Sequence, residues 1–322
     1  MKKFFAVVTL CIVLLSATYF SACNSNGKSE PTATDNQDSI KKVLEKGEYI
    51  ANHVALCIHC HSQPDDAKFS GPIVPGTEGG GGYAFTPGHG IPGTVFGRNI
   101  TADTETGIGS WTDAEVLRAV TQGISRNGDT LFPLMPYYVY NHMAKEDILS
   151  AIAYIRTLKP IKNKVKQRQL MAPIAAFYNS AALQPSIDNN KRPPETDKVA
   201  YGGYLTAFAS CSDCHTAVGP KGMDMTKEFA GGHTFDLPTF KVNSANITSD
   251  TATGIGKWTE EMFMAKFLPY RQEKNYNYAA GKQNTIMPLS MYSGMKDEDL
   301  GAIYAYIKTL KPISNKVEKY PK

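Results

Sequence analysis

The sequence predicts an all-α protein of two tandem domains with long glycine- and proline-rich loops. Three observations carry that prediction. A Cys-x-x-Cys-His motif occurs twice, at Cys57–His61 and Cys211–His215. The block Asn99-Ile100-Thr101 with Gly107-Ile108-Gly109-Ser110-Trp111-Thr112 recurs as Asn246-Ile247-Thr248 with Gly254-Ile255-Gly256-Lys257-Trp258-Thr259. Each half also closes on a helix-patterned stretch ending in Thr-Leu-Lys-Pro, at 157–160 and 309–312. An internal repeat of this length sets the architecture before any single element is assigned. The 322 residues suit two units of about 100–150 residues each.

The chain opens with Lys2 and Lys3, an apolar run from Phe4 to Leu15, and small residues before Cys23. Residues 1–22 therefore read as a secretory signal, the apolar run being shorter than the roughly 18–20 residues a spanning helix needs. Phe20-Ser21-Ala22-Cys23 resembles a bacterial lipobox, which makes Cys23 the expected lipidated residue; plain signal-peptidase cleavage is the alternative. Residues 23–38 are polar and read as a flexible tether. Together these imply an exported bacterial protein, lipid-anchored to a membrane and facing the periplasm.

A net charge of +4 with both signs dispersed contains no basic block, so no nucleic-acid partner is expected. Four of the six cysteines sit in the two motifs; Cys11 lies in the apolar N-terminal run and Cys23 after it. No cysteine remains for a disulfide framework.

The first domain spans 39–165. A helix from about Ser39 leads into the first motif, followed by a loop holding Gly79–Gly82, whose glycines would let backbone pass close over a flat group. Thr112-Asp113-Ala114-Glu115 forms a capping box that opens a helix to about Gly123. The last helix, about Lys145 to Leu158, places Ile148, Ala151, Ile152, Ile155 and Leu158 on one face, and Pro160 ends it. Residues 166–198 read as an interdomain linker, apolar from Leu170 to Leu183 and exposed from Asp188 to Pro194. The second domain, 199–322, repeats the plan with Leu300, Ile303, Tyr304, Ile307 and Leu310 on the closing helix.

Cys-x-x-Cys-His is the attachment sequence of a c-type haem. Two thiols three residues apart on one helical turn form thioethers to the haem vinyl groups, and the adjacent histidine supplies the proximal nitrogen. The expected cofactors are two covalently bound haem c groups. Cys57 and Cys60 would hold the first, with His61 on the iron; Cys211, Cys214 and His215 would hold the second. A zinc site would need matched further ligand pairs that the sequence does not offer.

For the sixth position, Met135 and Met287 are the methionines that precede proline at equivalent places in both copies. Proline stiffens such a loop, and these two are the expected axial ligands. Bis-histidine ligation through His89 and His233, each in the loop after a motif, is the alternative. Met143 and Met295 read as packing residues. His/Met ligation fills all six iron positions and raises the potential relative to bis-histidine sites, which points to electron transfer. Trp111, Trp258, Asn99 and Asn246 read either as propionate contacts or as packing and turn residues.

On these motifs, both halves resemble class I cytochrome c domains. The Asn-Ile-Thr…Gly-Ile-Gly-x-Trp-Thr block and the Met-Pro loop with its closing helix resemble, over about residues 40–322, the cytochrome c subunits of membrane-bound alcohol, aldehyde and gluconate dehydrogenases. Those subunits typically carry three haem domains, whereas this chain has two motifs. The resemblance implies a di-haem electron carrier between a periplasmic-side dehydrogenase or quinol-linked donor and a downstream carrier or oxidase. It implies redox proteins and, through the lipid anchor, a membrane as partners. The alternative is a di-haem redox enzyme, a peroxidase or sulfur-compound dehydrogenase, with one open or labile haem.

Overall fold

The computed structural model describes residues 33–171, 187–219 and 222–322. The leader, Cys23 and most of the apolar 170–183 segment lie outside the described residues. The chain begins with helix α1 (Ala33–Tyr49), continued by a π-helical turn Ile50–Val54, and reaches the first motif in α2 (Cys57–Cys60). Short strands β1 (Ala84–Phe85) and β2 (Gly93–Phe96) follow, then α3 (Asp113–Gln122), α4 (Tyr137–Tyr140), α5 (Lys145–Ile155) and β3 (Gln169–Leu170). The second copy runs α6 (Lys198–Phe208), α7 (Cys211–His215), β4 (Val218–Gly219), β5 (Gly222–Met223), β6 (Thr234–Asp236) and β7 (Lys241–Asn243). It ends with α8 (Glu260–Met264), α9 (Leu289–Tyr292) and α10 (Asp297–Thr309).

The all-α expectation is corrected by these strands. β1, β2 and β3 form a three-stranded antiparallel sheet, and β4–β5 and β6–β7 form two further antiparallel ribbons. Long loops cannot leave their backbone amides and carbonyls unpaired near a core, and hairpin ribbons satisfy them. Gly93, at φ 126°, shows how this is reached: β2 meets β3 there so closely that any side chain would strike the Gln169 carbonyl.

Two observations bear on the segments between and before the domains. Helix α1 starts at Ala33, inside the stretch read as tether. The segment read as linker packs on the first copy at both of its described ends. β3 pairs with β2, and the Asn190 amide side chain donates to the carbonyls of Asn141 (2.5 Å) and Met143 (3.1 Å).

Local signals for the helices hold. Thr112 Oγ1 accepts the Glu115 amide at 3.2 Å, Glu115 Oε2 accepts the Thr112 amide at 2.8 Å, and Gly123 closes α3 in the left-handed region. In the second copy Thr259 Oγ1 accepts the Met262 amide at the start of α8, without the reciprocal glutamate bond, and that helix is shorter. On α5, Ile148, Ala151, Ile152 and Ile155 are buried; on α10, Leu300, Ile303 and Ile307 are.

The core is built from matched helix pairs, α1 on α5 and α6 on α10. The crossing needs glycine in both copies. A Cβ on Gly47 would collide with the Ser150 carbonyl, and one on Gly202 with the Ala302 carbonyl. The two pairs share one cluster, in which Ile50, Val54, Ile152 and Ile155 join Leu205, Phe208, Leu300 and Ile307. The copies also interlock: α4 packs on α6, and α9 packs on the π-helical turn.

That turn marks a difference between the copies. Gly47 and Cys57 are one residue further apart than Gly202 and Cys211. A π-turn absorbs a single inserted residue without breaking the helix. Pairing Asn52 with Ala207 and Val54 with Phe208 leaves His53 as the extra residue; its Nδ1 is 2.7 Å from the Met291 carbonyl of the second copy.

Candidate functional site

Each motif enters its helical turn through a strained residue. Leu56 (φ 52°) and Ser210 (φ 51°), immediately before the first cysteine, both lie in the left-handed region, where non-glycine residues are uncommon. The same outlier at equivalent positions marks a conformation that the surroundings enforce. The four motif cysteines are free thiols, with Cys60 and Cys214 exposed and Cys57 and Cys211 half-buried.

The motif histidines are oriented identically. His61 Nδ1 is 2.6 Å from the Arg98 carbonyl, and His215 Nδ1 is 2.7 Å from the Ala245 carbonyl. A carbonyl can only accept, so Nδ1 carries the proton and Nε2 is left with its lone pair. That is the tautomer a metal-binding imidazole requires. Burial lowers both histidines below their ordinary pKa, with the carbonyl bond acting in the opposite sense, so the rings are neutral at neutral pH.

Glycines hold the accepting carbonyls in place. The Gly81 amide donates to the His61 carbonyl at 2.7 Å, and the Gly231 amide to the His215 carbonyl at 2.6 Å. Both glycines have positive φ and press against the 97–99 and 244–245 backbones, where a Cβ would clash. The glycine run thus passes close to backbone that orients the histidine, a role beyond the expected passage over a flat group.

The Met-Pro loops close onto the motif turns through residues that sequence reasoning missed. Pro136 and Pro288 open α4 and α9 with nearly the same backbone geometry (φ −81° and −80°). At the end of these helices, Tyr140 Oη donates to the Ala55 carbonyl at 2.8 Å and Tyr292 Oη to the Ala209 carbonyl at 2.5 Å. Both accepting residues stand two positions before a motif cysteine. Burial pushes both hydroxyls well above the ordinary tyrosine range, with the neighbouring thiols next in effect. Tyr138 Oη, on the same helix as Tyr140, donates to Asp213 Oδ1 at 3.4 Å, a contact between the first Met-Pro helix and the second motif turn. The signal was in the sequence: each tyrosine follows its Met-Pro by the same number of residues. Met135 and Met287 are themselves half-buried against the core.

The remaining candidates separate clearly. Asn99 and Asn246 are turn anchors. Asn99 Nδ2 donates to the Ile161 carbonyl (2.7 Å) and its Oδ1 accepts from Thr101; Asn246 repeats this with Ile313 (2.8 Å) and Thr248. Both Asn side chains are spent on the tail that follows the last helix. His89 is engaged at both ring nitrogens: Nδ1 accepts the Thr86 amide at 3.1 Å, and Nε2 lies 3.1 Å from Tyr83 Oη. His233 stacks on Phe235 with centroids 4.3 Å apart. Met143 and Met295 are 3% and 2% exposed and belong to the core. Trp111 and Trp258 are half-buried beside it.

The donor set fits a covalently held haem in each copy. Unpaired thiols sit three residues apart on one helical turn, next to a neutral imidazole with Nε2 unencumbered.

No family model matches the chain. Over 286 residues, 86% of its length, the chain is 29% identical to the cytochrome c subunit of a quinone-type alcohol dehydrogenase from Gluconacetobacter polyoxogenes. It is 27% identical over 282 residues to the gluconate 2-dehydrogenase cytochrome c subunit of Pantoea cypripedii. The chain is thus similar to cytochrome c subunits of dehydrogenases. The chain spans 58% and 59% of the length of these two subunits, respectively. A di-haem c-type cytochrome of Cereibacter sphaeroides is 28% identical over 264 residues, covering 80% of the chain and 82% of that relative. These similarities support an electron-transfer cytochrome carrying haem c.

Proposed function

We propose that the chain is a di-haem electron carrier built of two domains, 39–165 and 199–322. Cys57 and Cys60 hold the first haem, with His61 and Met135 as axial ligands; Cys211 and Cys214 hold the second, with His215 and Met287. When bound, each group supplies reversible one-electron chemistry. The chain's own residues fix its axial donors and bury it.

The observation that carries this reading is the matched pair of bonds from His61 Nδ1 to the Arg98 carbonyl and from His215 Nδ1 to the Ala245 carbonyl. A carbonyl acceptor on the far nitrogen fixes ring orientation and tautomer and increases the basicity of Nε2. A structural histidine at the end of a helical turn has no need of the same acceptor twice. Tyr140 and Tyr292 support the methionine assignment, since each ties a Met-Pro loop to the backbone just before its own motif.

Similarity to dehydrogenase subunits supports a dehydrogenase as the electron donor. Among the described residues no helix is long and apolar enough to cross a membrane. Attachment through a lipid on Cys23 is the proposed anchor.

Haem content is the direct test. A pyridine haemochrome assay on the purified protein is expected to give two c-type haems per chain, falling to one when either motif's cysteines are replaced by alanine. A wild-type content of one or none would refute the proposal.

A further inference from the structure

Residues 66–71, in the loop after the first motif, cross onto the Met287 loop of the second copy. The Phe69 ring stacks on both Tyr270 and Tyr278, with centroids 5.5 Å and 5.6 Å away. Its amide donates to the Tyr278 carbonyl at 3.0 Å. Asn284, 1% exposed, donates through Nδ2 to the carbonyls of Asp66 (3.0 Å) and Lys68 (2.9 Å) and accepts the Ser70 amide on Oδ1 at 2.9 Å. The Ser70 hydroxyl then donates to the Met287 carbonyl at 2.9 Å and accepts the Ser290 amide at 3.3 Å.

Ser70 is held there against its preference. It is 2% exposed and has φ 66°, a strained conformation for a non-glycine residue that persists only where the surroundings over-determine it. Buried polar groups on both sides would lose partners if the contact opened.

We propose that Ser70 is a positioning residue for Met287, so that the first copy holds closed the ligand loop of the second. This rests on the reading of Met287 as an axial ligand. The arrangement is one-sided. The Met287 carbonyl receives both the Leu289 amide (2.8 Å) and the Ser70 hydroxyl. The equivalent Met135 carbonyl receives the Tyr137 amide (2.8 Å) and, among the described residues, no hydroxyl from the second copy. The ligand loop of the second site therefore depends on the first copy, and the reverse dependence is absent from this contact.

The test uses the full-length, haem-loaded ferric protein and imidazole as a competitor for the methionine. Ligand exchange is followed through the methionine-to-iron charge-transfer absorption. Ser70→Gly removes the hydroxyl while suiting the left-handed backbone, and Ser70→Ala is the second variant should the first fail to accumulate. The expected result is that imidazole binds about tenfold more tightly at one haem and unchanged at the other, as loss of one buried hydrogen bond predicts. Unchanged binding at both haems, or equal loosening of both, would overturn the inference. Met287→Ala separates the two ideas. If it removes one site's share of the absorption while Ser70→Gly has no effect, the positioning role fails and the ligand stands. If it leaves the absorption intact, the ligand assignment itself fails.

Discussion

Tyr204 Oη donates to Asp147 Oδ2 at 2.5 Å, joining the N-terminal helix of the second copy to the last helix of the first. Tyr49 makes the matching bond to Asp299 in the opposite direction. Each hydroxyl also accepts a backbone amide beside that helix start, from Ala144 and from Lys296, both at 3.2 Å. The carboxylates are 1% and 5% exposed. The two copies are therefore joined by a pseudo-two-fold pair of buried tyrosine–carboxylate contacts. Replacing Tyr204 by phenylalanine takes one donor from a buried acid and is expected to lower stability by ~1.5–3 kcal/mol in denaturant titrations. Tyr49→Phe should do the same. Because both bonds belong to one joint, the double variant is expected to depart from additivity.

The helix crossings make a second, sharper prediction. Gly47 and Gly202 let α1 and α6 touch the backbone of α5 and α10, so an added methyl has no space in either copy. Gly47→Ala is expected to cost ~1–3 kcal/mol through overpacking, despite the better helix propensity of alanine. Alanine at the open Gly76 should also destabilise through its positive φ, by less, since nothing stands within 4 Å of its added Cβ. Paired thermal melts of the two variants distinguish packing from backbone strain.

His89 gives a pH dependence. Burial holds it at about 4, below its ordinary 6.5, between the Thr86 amide and Tyr83 Oη, which donates on to Asp66. The unfolded chain therefore takes up the proton first as pH falls. The stabilising contribution is complete above about 6.5 and is lost progressively as pH drops toward about 4. Denaturation midpoints should fall less steeply across that window in His89→Gln than in the parent protein. Equal slopes would remove His89 from the acid response.

What could be read from the sequence was what local rules determine. The Thr112–Glu115 box, the apolar face of α5 and the repeat itself need only neighbours a few residues apart. The strands were missed because they are two to four residues long and pair only after the loops have folded back. β3 in particular pairs with β2 across most of the first copy. Tyr140 escaped notice because its meaning lies in a carbonyl 85 residues away. The one-residue insertion could have been found from the unequal Gly-to-Cys spacing, an offset that a π-turn can absorb within a continuous helix. Ser70 carried no local signal at all; its partners, Asn284 and Met287, lie in the other copy.

Axial ligation at both irons is the claim on which electron transfer rests, and low-temperature electron paramagnetic resonance of the oxidised protein addresses it most directly. Two low-spin ferric signals are expected, one lost on Met135→Ala and the other on Met287→Ala. A high-spin signal in the unmodified protein would contradict the account and point instead to an open haem with enzymatic chemistry.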